Sequence, residues 1–305
     1  MAKSVLSAPH FQTETAAFAY VEAILWPTGA TCPHCGETAR IGRLNGKATR
    51  PGLHKCYACK QQFTVRIGTI FEDSHLPLHL WLQVIHLFCA SKKGIATRQI
   101  QRMLNCSMKT AWFLGHRIRE AMTPIANGPL GGSGKTVEAD ETELARSRKT
   151  KRPAGFRRKS HNPVVLSLVE RGGNIRSVTL DHNGVTKHLR GMVHKDSRLV
   201  TDKAQHYKFA PVASHESVDH HKFEWARGDV HVNTLEGFFS VLKRGLVGVY
   251  QHVNKKHLDR YLAEFDFRQN TRERLGINDT QRAAIALKGV VGKRLTYETT
   301  DRAKA

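Results

Sequence analysis

Three carboxylates and two pairs of cysteines are the groups in this sequence best suited to chemistry. Asp140 lies in Lys135-Thr-Val-Glu-Ala-Asp-Glu-Thr142. Asp202 directly follows Arg198-Leu-Val-Thr201, and Glu236 lies in Asn233-Thr-Leu-Glu-Gly-Phe-Phe-Ser-Val-Leu-Lys-Arg244. Three carboxylates can hold two hard divalent ions, Mg2+ or Mn2+, about 4 Å apart. Such a pair of ions activates a nucleophile and stabilises a leaving oxygen. Each acid also has a plainer reading. Glu138 or Glu141 could serve in place of Asp140, and Asp202 could simply end a strand. Asn233 and Glu236 fit a helix-capping box, but a capping box leaves Lys243 unexplained. Cys32-Pro-His-Cys35 and Cys56-Tyr-Ala-Cys59 are separated by 20 residues. Two such knuckles supply four soft thiolates, which suit a closed tetrahedral zinc site. Iron held in the rubredoxin manner and free thiols are the alternatives. Cys89 and Cys106 read as core residues.

The bulk composition points to a polyanionic partner. Lys plus Arg is 48 and Asp plus Glu is 26, and 48 − 26 gives a net charge of +22. A charge of that size is usually matched by nucleic acid. The basic residues cluster at Arg146 to Lys159, at Lys243 and Arg244, and at Lys255, Lys256 and Arg260. No apolar run is long enough to span a membrane, and Met1 to Thr15 lacks the pattern of a secretory signal. A cytoplasmic protein is therefore expected.

Several elements must position these groups. Leu78 to Ala90 carries an apolar face at helical spacing, and Gly94 to Leu104 reads as a second helix. Asn105-Cys-Ser107 is a tight turn, with Ser107 fit to cap a third helix from Met108 to Met122. A helix, a short turn and a basic second helix resemble a helix-turn-helix, in which Lys109, Arg117 and Arg119 would meet DNA. Residues 163–170 and 174–180 read as two strands joined by a turn, and 198–201 as another. In the helix from Asn233, Leu235, Phe238, Phe239 and Leu242 form a buried stripe. Glu236, Ser240 and Lys243 share a neighbouring side, with Lys243 about 10 Å along from Glu236. Asn127 to Gly134 reads as a linker. His215, His220 and His221 read as a solvated loop, and His231 as a candidate neighbour of the acids.

Strand, hairpin, strand with Asp202 and helix with Glu236 follow the chain order of a ribonuclease-H-like fold. The segment from Asp140 to Arg272 resembles the catalytic domain of DDE-type insertion-sequence transposases. Asp140, Asp202 and Glu236 match the triad, with 236 − 202 = 34 positions between the last two. Lys243 matches the family's basic residue near the terminal DNA bases. The zinc ribbon and helix-turn-helix ahead of the triad are similar to one bacterial subgroup. So are the phrases His231 to Arg244, Tyr250 to Tyr261 and Glu264 to Asn270.

The resemblance implies an α+β multidomain chain. It has a zinc ribbon (1–70), a helix-turn-helix domain (71–126), a ribonuclease-H-like α/β catalytic domain (135–272) and a C-terminal tail (273–305). It further implies an enzyme that binds terminal inverted repeats, then cleaves and joins double-stranded DNA with Mg2+ or Mn2+. Cys32, Cys35, Cys56 and Cys59 would hold structural Zn2+, and Lys243 and Arg244 would contact DNA. A homodimer or larger assembly on DNA and a nucleoid-associated location are implied as well. A non-catalytic DNA-binding regulator derived from such a chain is the alternative, and the intact triad argues against it. A metal-dependent nuclease with no joining step is a third reading, against which the long N-terminal recognition region argues.

Overall fold

The computed structural model describes residues 4–124, 128–144, 162–180, 184–208 and 210–296, with only the backbone of His221. The basic stretch Arg146 to Lys159 lies outside the described residues. The content is mixed α/β, divided into two compact units: Met1–Pro124 with Glu273–Ala305, and Ile125–Arg272.

The first unit opens with helix α1 (Glu14–Leu25). The Thr13 side chain caps it by accepting the N–H of Ala16, and Ala17, Phe18 and Val21 are buried. Strands β1 (Ile41–Arg43), β2 (His54–Cys56) and β3 (Gln62–Phe63) form a small antiparallel sheet in that order. Ile41 stands opposite Cys56, and His54 opposite Phe63. Three strands this short bury little, so the sheet needs its cysteines bridged to hold together. Helix α2 (Leu78–Ala90) buries Trp81, Leu82, Val84, Ile85 and Phe88. Helix α3 (Thr97–Leu104) starts three residues later than expected and ends on Asn105, whose φ of 47° is left-handed. Ser107 then caps α4 (Met108–Met122), its hydroxyl accepting the Thr110 N–H at 3.0 Å.

The second unit is built on one sheet. Its strands are β4 (Thr136–Glu143), β5 (Val164–Glu170), β6 (Ile175–Thr179), β7 (Arg198–Asp202) and β8 (Ser214–Val218). Their spatial order is β6-β5-β4-β7-β8. β4, β5 and β6 are antiparallel neighbours, whereas β7 runs parallel to β4 and β8 parallel to β7. Alternation along the strands gives the sheet two apolar faces. On one, Val137, Ala139, Leu166, Leu168 and Leu199 pack with Val185, Leu189 and Met192 of helix α5 (Gly184–Met192). On the other, Val165, Val169 and Ile175 pack against helix α6 (Asn233–Gly245) and helix α7 (Leu258–Asn270). Leu235, Phe238, Phe239 and Leu242 of α6 are all in this cluster, as their spacing predicts.

Two boundaries differ from expectation. Leu130 is buried and is held to β-bridge partner Val193, and the Gly131 N–H donates to Glu170. Gly131 has φ 92°, and a Cβ there would meet the Ser197 Oγ at 2.1 Å. Residues 130–132 are thus fastened into the second unit rather than forming a loose linker, and Asn127 lies outside the described residues. The chain also returns to the first unit after Arg272. Helix α8 (Asp279–Lys288) has a capping box of Asn278 and Gln281 and contacts α1, α2 and α4. Buried Arg282 donates to the Cys89 carbonyl at 2.7 Å. Residues 273–296 are therefore part of the N-terminal unit and not a separate tail, because α8 covers apolar surface of α2 there. Among the described residues, no helix is long and apolar enough to cross a membrane.

Candidate functional site

The sheet register brings two of the acids side by side. β4 and β7 are parallel neighbours, with Glu138 opposite Val200. Two residues further along each strand stand Asp140 and Asp202. Alternation puts both on the same face as Glu138. That face carries α6, because Glu138 reaches its first turn. The Glu138 carboxylate accepts the Thr234 N–H at 3.2 Å and the Thr234 hydroxyl at 3.0 Å. It is fully buried and takes a third bond from Arg171 Nε at 2.9 Å. Arg171 in turn donates to the His231 carbonyl at 3.0 Å. Glu138 and Arg171 thus fasten the start of α6 to the strand that carries Asp140.

This arrangement settles the capping question for α6. Val232 occupies the cap position, and no side chain of the local sequence caps the helix. Asn233 is the first helical residue, so the capping box that was the alternative reading of Asn233 and Glu236 is absent. The Leu235 and Glu236 N–H groups bond the Val232 carbonyl instead, and the Thr234 N–H goes to Glu138 on β4. Glu236 is left exposed in the first turn of α6, and Lys243 and Arg244 are exposed in its last turn. His231 lies 3.8 Å from Glu138 and so touches the anchor of the helix.

Asp140 sits among negative charge. Burial, and next the charge of Asp202, push its carboxyl up to about 7, with smaller contributions from Glu141 and Glu236. The N–H of Glu141 opposes this, donating to Asp140 at 2.8 Å. The two rival acids are engaged elsewhere. Glu138 holds α6. Glu141 points to the opposite face, where it accepts the buried Tyr207 hydroxyl and pairs with His206 at 2.7 Å. Burial and then Glu141 hold the Tyr207 phenol well above its usual range, with added pressure from Asp140 and Asp202. Sequence reasoning missed Tyr207 and the anchoring role of Glu138. The alternation of β4 was the available signal for Glu138, since it shares a face with Asp140.

The other expectations divide. Cys32, Cys35, Cys56 and Cys59 converge with all four sulfurs within 4.8 Å of one another. The Cys32–Cys59 and Cys35–Cys56 separations are both 3.7 Å. Zinc–sulfur bonds of about 2.3 Å in a tetrahedron place sulfurs about 3.8 Å apart, so the four fit zinc closely. Backbone N–H groups of Cys59 and Ala58 hold the Cys56 thiol down to about 7, which favours the ligating thiolate. Among the described residues, Asp140, Asp202 and Glu236 are not gathered into so tight a cluster. Lys109 is exposed at the start of α4. Arg117 and Arg119 are only 6% and 2% exposed, which overturns their assignment to DNA. Arg117 donates to the carbonyls of Ile70, Glu72 and Leu295, and the Arg119 guanidinium lies 5.4 Å from the centre of the Phe88 ring. His215 bonds to Thr201 at 2.8 Å within the sheet, so it does not belong to a solvated loop.

Comparison with known proteins bears on most of the chain. Residues 129–270 match the ISXO2-like transposase domain, and residues 12–62 match the transposase zinc-ribbon domain. A protein of Halobacterium salinarum described as an uncharacterized protein in transposable element ISH50 is 26% identical over 278 residues. That match spans 85% of this chain and 92% of the relative. With the zinc ribbon and the transposase domain matched in this order, the chain belongs to the IS1595-type insertion-sequence transposases that carry an N-terminal zinc ribbon.

Proposed function

We propose that this chain is a catalytically active transposase that binds the terminal inverted repeats of its element, cuts the DNA and joins the freed ends to a target. The observation that carries the reading is the matched register of Asp140 and Asp202 on adjacent parallel strands, with the Glu236 helix tied to β4 through Glu138. The order of five strands, three antiparallel and two added in parallel, supports a ribonuclease-H-like fold. The exposed start of α4, after a turn from α3, supports a helix-turn-helix whose first turn reads the major groove.

Asp140, Asp202 and Glu236 would hold divalent metal, and Mg2+ suits an all-oxygen donor set. Burial pushes the Asp140 carboxyl up most, and the neighbouring charges of Asp202, Glu141 and Glu236 add to it; a cation would relieve that added part. When bound, such ions supply activation of the nucleophile and stabilisation of the leaving oxygen. The protein's share is positional. Glu138 and Arg171 fix the approach of α6 to β4. Lys243 and Arg244 on α6, and Lys109 on α4, meet phosphates, which orient the DNA without reading its sequence.

The test uses DNA flanking this reading frame. Asp202→Ala should bind that DNA as the wild type does while cleavage and strand transfer disappear. Strand transfer at the wild-type rate by Asp202→Ala would remove the carboxylate centre from the proposal.

A further inference from the structure

Phe223 and Trp225 are the most exposed large apolar side chains among the described residues, at 81% and 58%. They stand two residues apart in the loop from β8 to α6. That loop leaves the sheet at Val218, the strand partner of Asp202, so it rises from the rim where the carboxylate sits. The loop is braced. The Asp219 carbonyl accepts the N–H groups of Lys222 and Glu224, and the Glu224 carboxylate accepts the Asp219 N–H at 3.1 Å. Arg227 donates to the Ser217 carbonyl at 3.2 Å. Phe223 itself is held at φ 59°, a left-handed conformation that bulky residues rarely adopt. Strain of this kind persists only where the surroundings enforce it, and it concentrates at functional positions.

Two aromatic rings held out to water by a braced loop are a preformed surface. Exposed Lys222 adjoins them, and the chain carries +22 overall. Aromatic rings beside positive charge bind unpaired nucleotides by stacking, with little regard to sequence. We infer that Phe223 and Trp225 form a stacking site for unpaired bases of the DNA strand whose backbone lies at Asp202. The inference rests on the DNA-cleaving reading above and adds to it a contact to the bases.

The experiment compares the full-length protein on a blunt duplex and on the same duplex with a single-stranded thymidine overhang containing 2-aminopurine. The wild type should prefer the overhang and quench the 2-aminopurine. Phe223→Leu with Trp225→Leu should weaken overhang binding by roughly five- to a hundredfold, with blunt-duplex affinity unchanged. Phe223→Tyr with Trp225→Phe keeps both rings and should retain the preference and the quench. A wild type that binds both DNAs equally without quenching overturns the inference alone. Failure to bind either DNA overturns the DNA reading beneath it. A changed oligomeric state in the leucine variant, at unchanged overhang affinity, would give this surface to a second copy of the chain and also overturn the inference.

Discussion

Replacing Glu138 should separate the placing of α6 from the chemistry of the triad. The Glu138 side chain is fully buried and receives Arg171 at 2.9 Å and Thr234 at 3.2 and 3.0 Å. Glu138→Ala leaves the Arg171 Nε and the Thr234 N–H without their acceptor, while the rest of the guanidinium keeps the His231 carbonyl and Asp229. Breaking a buried ion pair in this way costs about 3–5 kcal/mol. The second unit spans 272 − 125 + 1 = 148 residues. For that size each kcal/mol moves the unfolding temperature by about 2–4 °C, so a drop of about 6–20 °C is expected. Glu138→Gln keeps the volume and one acceptor oxygen and should fall about 1–3 kcal/mol short of the wild type. Scanning calorimetry on the full chain reads both. Cleavage should fall along the same order, because Glu236 rides on the helix that Glu138 anchors. If Glu138→Ala unfolds within about 2 °C of the wild type, the carboxylate does not secure α6 and the explanation of Glu236's placement fails.

Two further outcomes follow from the same structure. Cys56→Ser should lose zinc and unfold the ribbon, since three strands of two or three residues cannot stand without it; full zinc content, measured by mass spectrometry, would contradict the four-thiolate site. Asp140 is raised from 3.8 to about 7 in the folded protein, which corresponds to about 4 kcal/mol. Between those values the folded state holds the extra proton, so the metal-free protein should lose stability as pH rises from about 4 to about 7 and stay at the lower level above. Asp266, buried and also raised to about 7, acts in the same direction. The difference between wild type and Asp140→Asn therefore isolates Asp140, and denaturant titration across that range should show the gap close when Mg2+ is added at the high end.

Local chemistry made part of this molecule legible in advance. The knuckle spacing marked the sulfur cluster. The apolar spacing of α2 and the Ser107 cap of α4 marked those helices to the residue, because caps and periodicity are local signals. β8 was not legible: Ser214-His-Glu-Ser-Val218 is polar and becomes a strand only through its partner β7. α1 was missed because much of its apolar surface is alanine. Arg117 and Arg119 looked like DNA contacts from helix position alone. Their burial comes from segments distant in sequence, Ile70, Glu72 and Leu295 for Arg117. The Asn233 cap did not form because the helix starts one residue earlier: the Leu235 and Glu236 N–H groups bond the Val232 carbonyl, and the Thr234 N–H goes to Glu138, 96 positions before it.

The most direct measurement is the rate of strand transfer by Glu236→Gln in Mg2+ on DNA from the ends of the element. Glutamine keeps the size of the side chain, and the structure shows no capping bond for it to disturb. What it removes is the charge. Loss of cleavage and joining with end binding and thermal stability retained is the predicted result, and transfer at the wild-type rate would contradict the assignment of Glu236, Asp140 and Asp202 to one metal-holding triad.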